Sequence, residues 1–294
     1  MLETLRSVLM DRLRLQYRNF GAYQTLVVNH SVDVDGADRA GLRWYELRTA
    51  GGGWAIFQQG THSPDATHRW MGSAAMDRFG NLALGYSISD GTMYPSIAYA
   101  GRLVTDPPGT TPQAEVIAHA GGAPQTAPGP NPARWGDYSA MSVDPTDDCT
   151  FWYTSEYIPF AEAAPNTRVV AFRFLTCPIT VGIDVKPGSA SNPVNVRSKG
   201  VIPVAILSTP DFDATTVDPA TVCFGDAEAP AQRDCTEAHG RGHVEDVDGD
   251  GDLDLVLHFE TQQTGIDAGD TSACLTGTTT SGQAIEGCDG IRAF

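Results

Sequence analysis

The stretch Asp246-Val-Asp-Gly-Asp-Gly-Asp-Leu-Asp254, which continues as Leu255-Val-Leu-His-Phe-Glu260, decides how this chain folds. Its first part places an aspartate at every second position around two glycines, which predicts a tight acidic loop. Towards its end, apolar side chains recur at every second position, at Leu253, Leu255, Leu257 and Phe259. A period of two is typical of a half-buried β-strand and not of a helix. The stretch therefore predicts a loop that leads into a strand.

The aspartates of this loop have the spacing of calcium ligands. A loop of the EF-hand type takes oxygen ligands from positions 1, 3, 5, 7 and 9, using the backbone carbonyl at position 7 and a glycine at position 6. The residues at these ligand positions are Asp246, Asp248, Asp250, Asp252 and Asp254. An acidic turn exposed to solvent is the alternative, but carboxylates so close together repel one another unless a cation offsets their charge. We therefore expect one Ca²⁺, which accepts a flexible oxygen cage more readily than Mg²⁺ does.

The loop departs from an EF-hand in two ways. Position 12 is Leu257, so the bidentate glutamate is missing, and a strand instead of a helix follows. These departures predict a single structural clip between strands, with an affinity of about 10⁻⁴ to 10⁻³ M. A second acidic segment, Asp33-Val-Asp-Gly-Ala-Asp38, has similar spacing but leads into no further matching position. We interpret this second segment as a plain turn.

Two resemblances extend this interpretation. The loop is similar to the calcium loops of FG-GAP and related extracellular repeats, whose pattern Asp-x-Asp-Gly-Asp-Gly-x-x-Asp is matched here once and over a few residues only. That resemblance implies the metal site and not the fold or the adhesion function of those families. Residues 179–294 as a whole resemble a module at the C-terminal ends of bacterial secreted proteins, through the segments Ile183–Gly188, Lys199–Leu207 and Ile285–Asp289. This second resemblance implies a secreted or surface-attached location.

Composition indicates a globular all-β chain with two domains. The 294 residues are 41% hydrophobic and include 31 glycines and 19 prolines, which predicts many turns and short strands. The net charge of −17 divides into −4 for residues 1–177 and −13 for residues 178–294. Such an acidic chain lacks the basic face that a nucleic-acid partner requires. We place the boundary at Thr176-Cys177-Pro178, and we expect a β-sandwich after it.

The six cysteines favour an extracellular location. None lies in a Cys-x-x-Cys pair or at a metal-like spacing, so disulfides are a better interpretation than buried free thiols. The pairing that is most local in sequence is Cys149–Cys177, Cys223–Cys235 and Cys274–Cys288, although six cysteines allow 15 connectivities. No apolar run is long enough to span a membrane. The first residues do not form a convincing signal peptide, and we therefore expect that this chain is the C-terminal part of a longer secreted protein or the product of an incomplete gene model.

The first domain contains an internal repeat. Arg69-Trp70 precedes the predicted strand Leu82–Ile88 as Arg134-Trp135, 65 positions later, precedes the predicted strand Thr150–Ser155. A fainter copy runs through Val32-Asp33 and Arg43-Trp44. Repeats of a few strands predict the blades of a β-propeller, but residues 1–177 hold fewer than three copies. This domain is therefore expected to be an incomplete propeller or another β architecture.

We consider two functions. The first is a non-catalytic secreted or cell-surface protein that binds an extracellular ligand, either a carbohydrate or a protein. The second is a glycoside hydrolase, because the repeat region distantly resembles propeller sialidases. Its aromatic and acidic residues would form sugar platforms and a carboxylate pair: Trp135, Asp137, Tyr138, Trp152, Tyr153, Glu156 and Tyr157. Motifs of serine hydrolases, zinc proteases and phosphate loops are missing, and we do not expect a zinc site at His239 and His243, which are four apart in a glycine-rich loop.

Overall fold

The computed structural model describes residues 15–125, 135–136, 139–161 and 163–294. In this part of the chain the regular structure consists of β-strands and four short 3-10 helices, which confirms the all-β prediction. None of these helices has the length and apolar character that crossing a membrane requires. The chain divides into two compact units between Phe174 and Leu175, close to the predicted boundary.

The first unit contains eleven described strands. They are β1 (Gln16–Asn19), β2 (Gln24–Asp33), β3 (Ala40–Thr49), β4 (Ala55–His62), β5 (His68–Met76), β6 (Leu82–Ser89), β7 (Ser96–Arg102), β8 (Gln113–His119), β9 (Ala140–Val143), β10 (Phe151–Tyr157) and β11 (Asn166–Phe172). Strands that follow one another in the chain pair antiparallel, which gives a first sheet β1-β2-β3-β4, a middle sheet β5-β6-β7-β8 and a third sheet β9-β10-β11. No sheet is closed among the described strands.

The middle sheet is buried on both faces, and side chains of opposite parity serve the two neighbouring sheets. On one face Leu82, Leu84 and Tyr86 pack with Trp44 of the first sheet. On the other face Ala83 packs with a cluster from the third sheet that includes Phe151 and Phe172. Every residue of β6 is therefore buried, although successive side chains of a strand point in opposite directions.

A glycine marks the tightest contact of the middle sheet with the third sheet. Gly85 lies in β6, and a Cβ atom built there would lie 2.5 Å from the ring of Tyr153 and 2.7 Å from Cε of Met141. Such distances are well below van der Waals contact. The missing side chain at position 85 therefore allows the Tyr153 ring to approach the backbone of the middle sheet.

The internal repeat of the sequence corresponds to a recurring hairpin. Asp33 is the last residue of β2, and Asp77 and Asp144 directly follow β5 and β9, so an aspartate begins the turn to the next strand in all three sheets. Asp77 is fully buried and accepts hydrogen bonds from the backbone N–H groups of Phe79 and Asn81 at 2.9 Å. Burial raises the pKa of this carboxyl group, although those hydrogen bonds oppose the effect.

The second unit contains ten strands and four 3-10 helices. The strands are β12 (Ile179–Thr180), β13 (Ile183–Val185), β14 (Pro193–Val194), β15 (Val201–Ile206), β16 (Cys223–Asp226), β17 (His243–Glu245), β18 (Asp254–Glu260), β19 (Ser272–Thr278), β20 (Ala284–Gly290) and β21 (Arg292–Ala293). The 3-10 helices span Ala214–Thr216, Pro219–Thr221, Pro230–Gln232 and Thr261–Gln263. The apolar run at residues 179–185 forms two strands, because β12 pairs with β20 while β13 pairs with β15 in another sheet.

Two four-stranded sheets of this unit share one core. The orders are β12-β20-β19-β16 and β13-β15-β18-β17, and β14 and β21 form a separate pair. A single hydrophobic cluster includes Phe224 and Leu275 from the first of these sheets and Leu257 and Phe259 from the second. Apolar side chains of β18 thus point into this core at every second position, as the opening stretch of sequence predicts.

The disulfides agree with the sequence-local pairing. Cys223 is bonded to Cys235, and Cys274 is bonded to Cys288 directly across the β19–β20 ladder. Cys149 and Cys177 are disulfide-bonded as well, and no cysteine of the described chain is free. The oxidised state that we predict for all six cysteines is therefore confirmed.

Candidate functional site

The acidic loop connects β17 to β18. These strands pair antiparallel with Glu245 opposite Asp254, so residues 246–253 form the connection of a hairpin. Gly249 and Gly251 have φ angles of +81° and +99°, in the left-handed region that glycine adopts without strain. The two glycines therefore let the chain reverse while successive aspartate side chains remain near one centre.

Three of the five predicted ligands meet in this hairpin. Carboxylate oxygens of Asp246, Asp248 and Asp254 all lie within 4.8 Å of one another. Asp250 and Asp252 do not belong to this group, and Oδ1 of Asp250 instead accepts a hydrogen bond of 2.9 Å from the backbone N–H of Asp252. Asp254 is 1% exposed, whereas Asp246 and Asp248 are exposed. The cluster of three carboxylates is thus buried at Asp254 and open to solvent at Asp246 and Asp248.

Backbone amides hold the inner carboxylate in place. Asp254 accepts hydrogen bonds from the N–H of Ser208 at 2.8 Å and from the N–H of Val247 at 2.9 Å. The Ser208 hydroxyl in turn donates to the carbonyl of Leu253 at 2.7 Å and accepts from the N–H of Ala214 at 2.9 Å. These hydrogen bonds fix the orientation of the Asp254 carboxylate at the base of the loop.

The two exposed carboxylates, those of Asp246 and Asp248, accept hydrogen bonds from backbone amides of the turn. Asp246 accepts from the N–H groups of Gly249 at 2.8 Å and Gly251 at 3.2 Å, and Asp248 accepts from the N–H of Asp250 at 3.2 Å. Within the described chain, no lysine or arginine forms an ion pair with any of the five aspartates. Their mutual repulsion is therefore not offset by a basic side chain.

The segment at residues 33–39 has the same turn geometry with a different charge balance. Asp33 accepts from the N–H groups of Gly36 at 2.9 Å and Asp38 at 3.4 Å, the spacings that Asp246 also uses. Gly36 and Asp38 have positive φ angles of 73° and 69°, at the places that Gly249 and Gly251 occupy in the other loop. Here, however, Nε of Arg39 lies 3.3 Å from Oδ2 of Asp35. A guanidinium group thus supplies the positive charge in the segment that we interpret as a plain turn.

The described residues among those considered for glycoside hydrolysis do not share one open surface. Trp135 is buried and donates from Nε1 to Oγ of Ser87 at 2.9 Å, and Tyr153 lies in the core, where desolvation raises its pKa. Trp152 points the other way from β10 and is 41% exposed. Oε1 of Glu156 accepts from the N–H of Gly136 at 2.6 Å. Asp137 and Tyr138 lie outside the described residues.

A buried polar network in the first unit is not evident in the sequence. Arg69 is fully buried and forms paired hydrogen bonds with two carboxylates, those of Glu115 at 2.6 and 2.9 Å and of Asp65 at 2.8 and 3.1 Å. The Tyr86 hydroxyl also donates to Glu115, and Nε2 of His62 lies 2.9 Å from that hydroxyl. Burial raises the pKa of Tyr86, and Glu115 raises it further.

The two histidines of the glycine-rich loop gain neighbours from elsewhere in the chain. The ring of His258, in β18, lies 4.5 Å from the ring of His239 and 5.4 Å from that of His243. Glu237 adds a carboxylate to this group. Neither Glu237 nor His258 has a local spacing that singles it out, because they are 21 positions apart and meet through hydrogen bonds of the segment before β17 with the backbone of His258.

Comparison of this chain with protein-family models, curated proteins and solved structures found no significant match. Its function is therefore argued from its own residues.

Proposed function

We propose that the β17–β18 hairpin binds one Ca²⁺ as a structural clip. The observation that carries the proposal is the convergence of Asp246, Asp248 and Asp254 within 4.8 Å at a turn fixed by backbone amides. Calcium takes six to eight oxygen ligands at 2.3 to 2.6 Å, and both carbonyl groups and water complete such shells. In the proposed site Asp250 turns its carboxylate inward on binding and Asp252 contributes its backbone carbonyl.

The matching turn at residues 33–39 supports this reading. There the carboxylate of Asp35 forms an ion pair with the guanidinium group of Arg39, which offsets part of the negative charge of the turn. The loop at residues 246–254 has more carboxylates and no basic partner among the described residues. A divalent cation would offset that repulsion, and an ion bound only by the folded chain stabilises it by mass action.

We further propose that the protein is extracellular or attached to a cell surface, where it binds a carbohydrate or protein ligand without catalysing a reaction. Six oxidised cysteines support this location, because disulfides persist mainly outside the cytosol. A calcium site of millimolar affinity also suits the calcium-rich exterior. Retention of the labelled full chain on the surface of cells tests the attachment role, and retention no greater than that of an unrelated acidic protein contradicts it.

For the architecture, we propose part of a β-propeller in the first unit and a β-sandwich in the second. Successive antiparallel meanders that stack face to face support the propeller. An apolar row also crosses the outer face of the first sheet, through the directly paired residues Tyr17, Leu26, Leu47 and Ile56. Tyr17 and Ile56 are 57% and 53% exposed, so a further sheet would bury apolar area there. The shared core of the two four-stranded sheets supports the sandwich.

Calcium binding is tested with two matched variants of the same loop. Asp246→Asn removes a proposed side-chain ligand, whereas Asp252→Asn removes an equal charge at the position expected to use only its carbonyl. At about 2 mM calcium, the expected affinity stabilises the folded unit by about 0.6 to 2 kcal/mol. For a unit the size of residues 175–294 this raises Tm by roughly 3 to 7 °C.

The measurement is scanning calorimetry in calcium, in magnesium and in chelator, together with titration calorimetry. We expect the wild-type chain and Asp252→Asn to respond to calcium and Asp246→Asn to lose most of the response. Equal Tm values in calcium and chelator, with no heat of binding at millimolar calcium, would refute the proposal. Equal losses in the two variants would show that general charge, and not ligation, governs the response.

A further inference from the structure

A second group of metal-ligating side chains joins β18 to the segment that precedes β17, outside the acidic loop. Donor atoms of Glu237, His239 and His258 all lie within 4.8 Å of one another. His258 is in β18, and the other two residues precede β17 in the chain. Two imidazoles and a carboxylate form a set that suits Zn²⁺ and related borderline cations, whereas calcium prefers oxygen ligands alone.

The carboxylate of this group is held rigidly by the backbone. Glu237 has a side chain that is 4% exposed. Its Oε2 accepts from the N–H groups of His239 and Arg241, both at 2.8 Å, and its Oε1 accepts from the N–H of His258 at 3.0 Å. These bonds fix the carboxylate without using either imidazole. The position of Oε1 is therefore set before any ion arrives, which is the preorganisation that a ligand site requires.

The imidazole nitrogens face this oxygen without bonding to it. Nδ1 of His258 lies 3.6 Å from Oε1 of Glu237, and Nδ1 of His239 lies 4.0 Å from the same atom. Both distances are beyond hydrogen-bond reach. Nδ1 of His258 is moreover buried with no hydrogen-bond partner among the described residues. A buried imidazole nitrogen without a partner is costly, and a bound metal ion would satisfy it.

The separations also fit a tetrahedral ion closely. Zinc lies about 2.0 to 2.2 Å from nitrogen and carboxylate oxygen, so two of its ligand atoms are separated by about 3.4 Å. The observed 3.6 and 4.0 Å exceed this value by a few tenths of an ångström. His239 has a side chain that is 57% exposed, so it can close this gap by a small rotation. Water, or His243 beside the ring of His258, would complete the shell.

We propose that Glu237, His239 and His258 form a binding site for a borderline divalent cation of the zinc class. The site is independent of the calcium proposal, because none of its ligands belongs to the acidic loop. It adds nitrogen ligation to a hairpin whose other end carries only oxygen ligands. Two cations of different chemistry would then hold opposite parts of the β17–β18 hairpin.

The test uses Zn²⁺ and Co²⁺ with the full chain in excess calcium, so that the acidic loop is occupied. Cobalt bound by two imidazoles and a carboxylate in a site of low coordination number gives strong visible absorption, whereas octahedral cobalt on oxygen ligands absorbs weakly. His239→Gln removes an exposed ligand and leaves the core intact, and His30→Gln, in the first unit, is the matched control. We expect one equivalent of each metal to bind, and the affinity of His239→Gln to fall at least about tenfold.

The outcomes separate this site from the calcium loop. An unchanged affinity in His30→Gln together with the loss in His239→Gln supports the proposal. The absence of visible cobalt absorption, or equal affinities in the two histidine variants, would overturn it. Binding that is lost in Asp246→Asn but retained in His239→Gln would also overturn it, because that result places the metal in the acidic loop. The comparison of His239→Gln with Asp246→Asn therefore distinguishes the two sites even if calcium does not occupy the acidic loop.

Discussion

Replacing Glu115 by glutamine should destabilise the first unit and remove much of its sensitivity to acid. Glu115 lies in β8, where its carboxylate accepts hydrogen bonds from the guanidinium group of Arg69 and from the hydroxyl of Tyr86. Nε2 of His62 lies 3.3 Å from the same carboxylate. The substitution keeps the shape of the side chain but removes the charge that faces a fully buried arginine.

The magnitude follows from the pKa of this carboxyl group. Burial raises that pKa, but the hydrogen bonds from His62, Arg69 and Tyr86 outweigh burial and hold it at about 2, against an ordinary value of 4.5. At about 1.4 kcal/mol per pH unit, the difference corresponds to roughly 3 kcal/mol of stability. The folded carboxyl group binds its proton at lower pH than the unfolded one. This stability is therefore present above about pH 4.5 and is lost as the pH falls towards 2.

The assay exploits the distribution of the tryptophans. All five lie in residues 1–174, so tryptophan fluorescence follows only the first unit. We expect urea unfolding at neutral pH to show Glu115→Gln less stable by about 3 kcal/mol, with the gap to the wild-type chain closing as the pH falls below about 4.5. Glu228→Gln, which removes an exposed glutamate of the second unit, is the control and should follow the wild-type curve. Equal stabilities of Glu115→Gln and the wild-type chain at neutral pH, or parallel pH profiles, would refute the reasoning.

Two further substitutions test packing and covalent links. Gly85→Ala should destabilise the first unit by about 1 to 3 kcal/mol, because its new methyl group meets the ring of Tyr153. Gly91→Ala is the control, since its methyl group meets no atom within 4 Å. Unfolding in urea, followed by tryptophan fluorescence, compares the two variants, and equal losses of stability would contradict the prediction. Replacing Cys274 and Cys288 together by alanine should lower the free energy of unfolding of the second unit by about 2 to 4 kcal/mol. Far-UV circular dichroism follows this unfolding in urea, and an unchanged urea midpoint would argue against a stabilising role of the disulfide.

Local patterns were the features that the sequence predicted well. The acidic loop, the strand after it and the two short-range disulfides each depend on residues that are close together in the chain. The alternation in Leu255, Leu257 and Phe259 is clear because β18 has one face in the core of the second unit. The aspartates that begin the turns after β2, β5 and β9 are likewise visible as a repeat, because each acts on amides a few residues away.

Features that depend on distant partners could not be predicted in this way. Strands β5 and β7 were not predicted, because they include small and polar residues such as Gly72, Ser73 and Ser96 and show no period of two. The more apolar run of β6, between them in the same sheet, was predicted. Arg69 and Glu115 are 46 positions apart, and only the register of the middle sheet brings them together. Glu237 and His258 likewise are distant in the chain and meet through a hydrogen bond from the backbone N–H of His258 to the Glu237 carboxylate. For the same reason, the acidic loop is visible in the sequence, although only three of its five aspartates meet, whereas the histidine group is not visible.

The double burial of the middle sheet also has a consequence during protein synthesis. Strand β6 (Leu82–Ser89) has no charged residue and no proline, and such a segment readily pairs with other chains when it is uncovered. The residues that cover its second face, in β9 to β11, leave the ribosome only after residue 139. When the nascent chain extends only to β8, the strands of the middle sheet can pair, but one face of that sheet is still exposed. We expect this interval, rather than any later step, to be the time when the chain most needs a chaperone or a low concentration of its own copies.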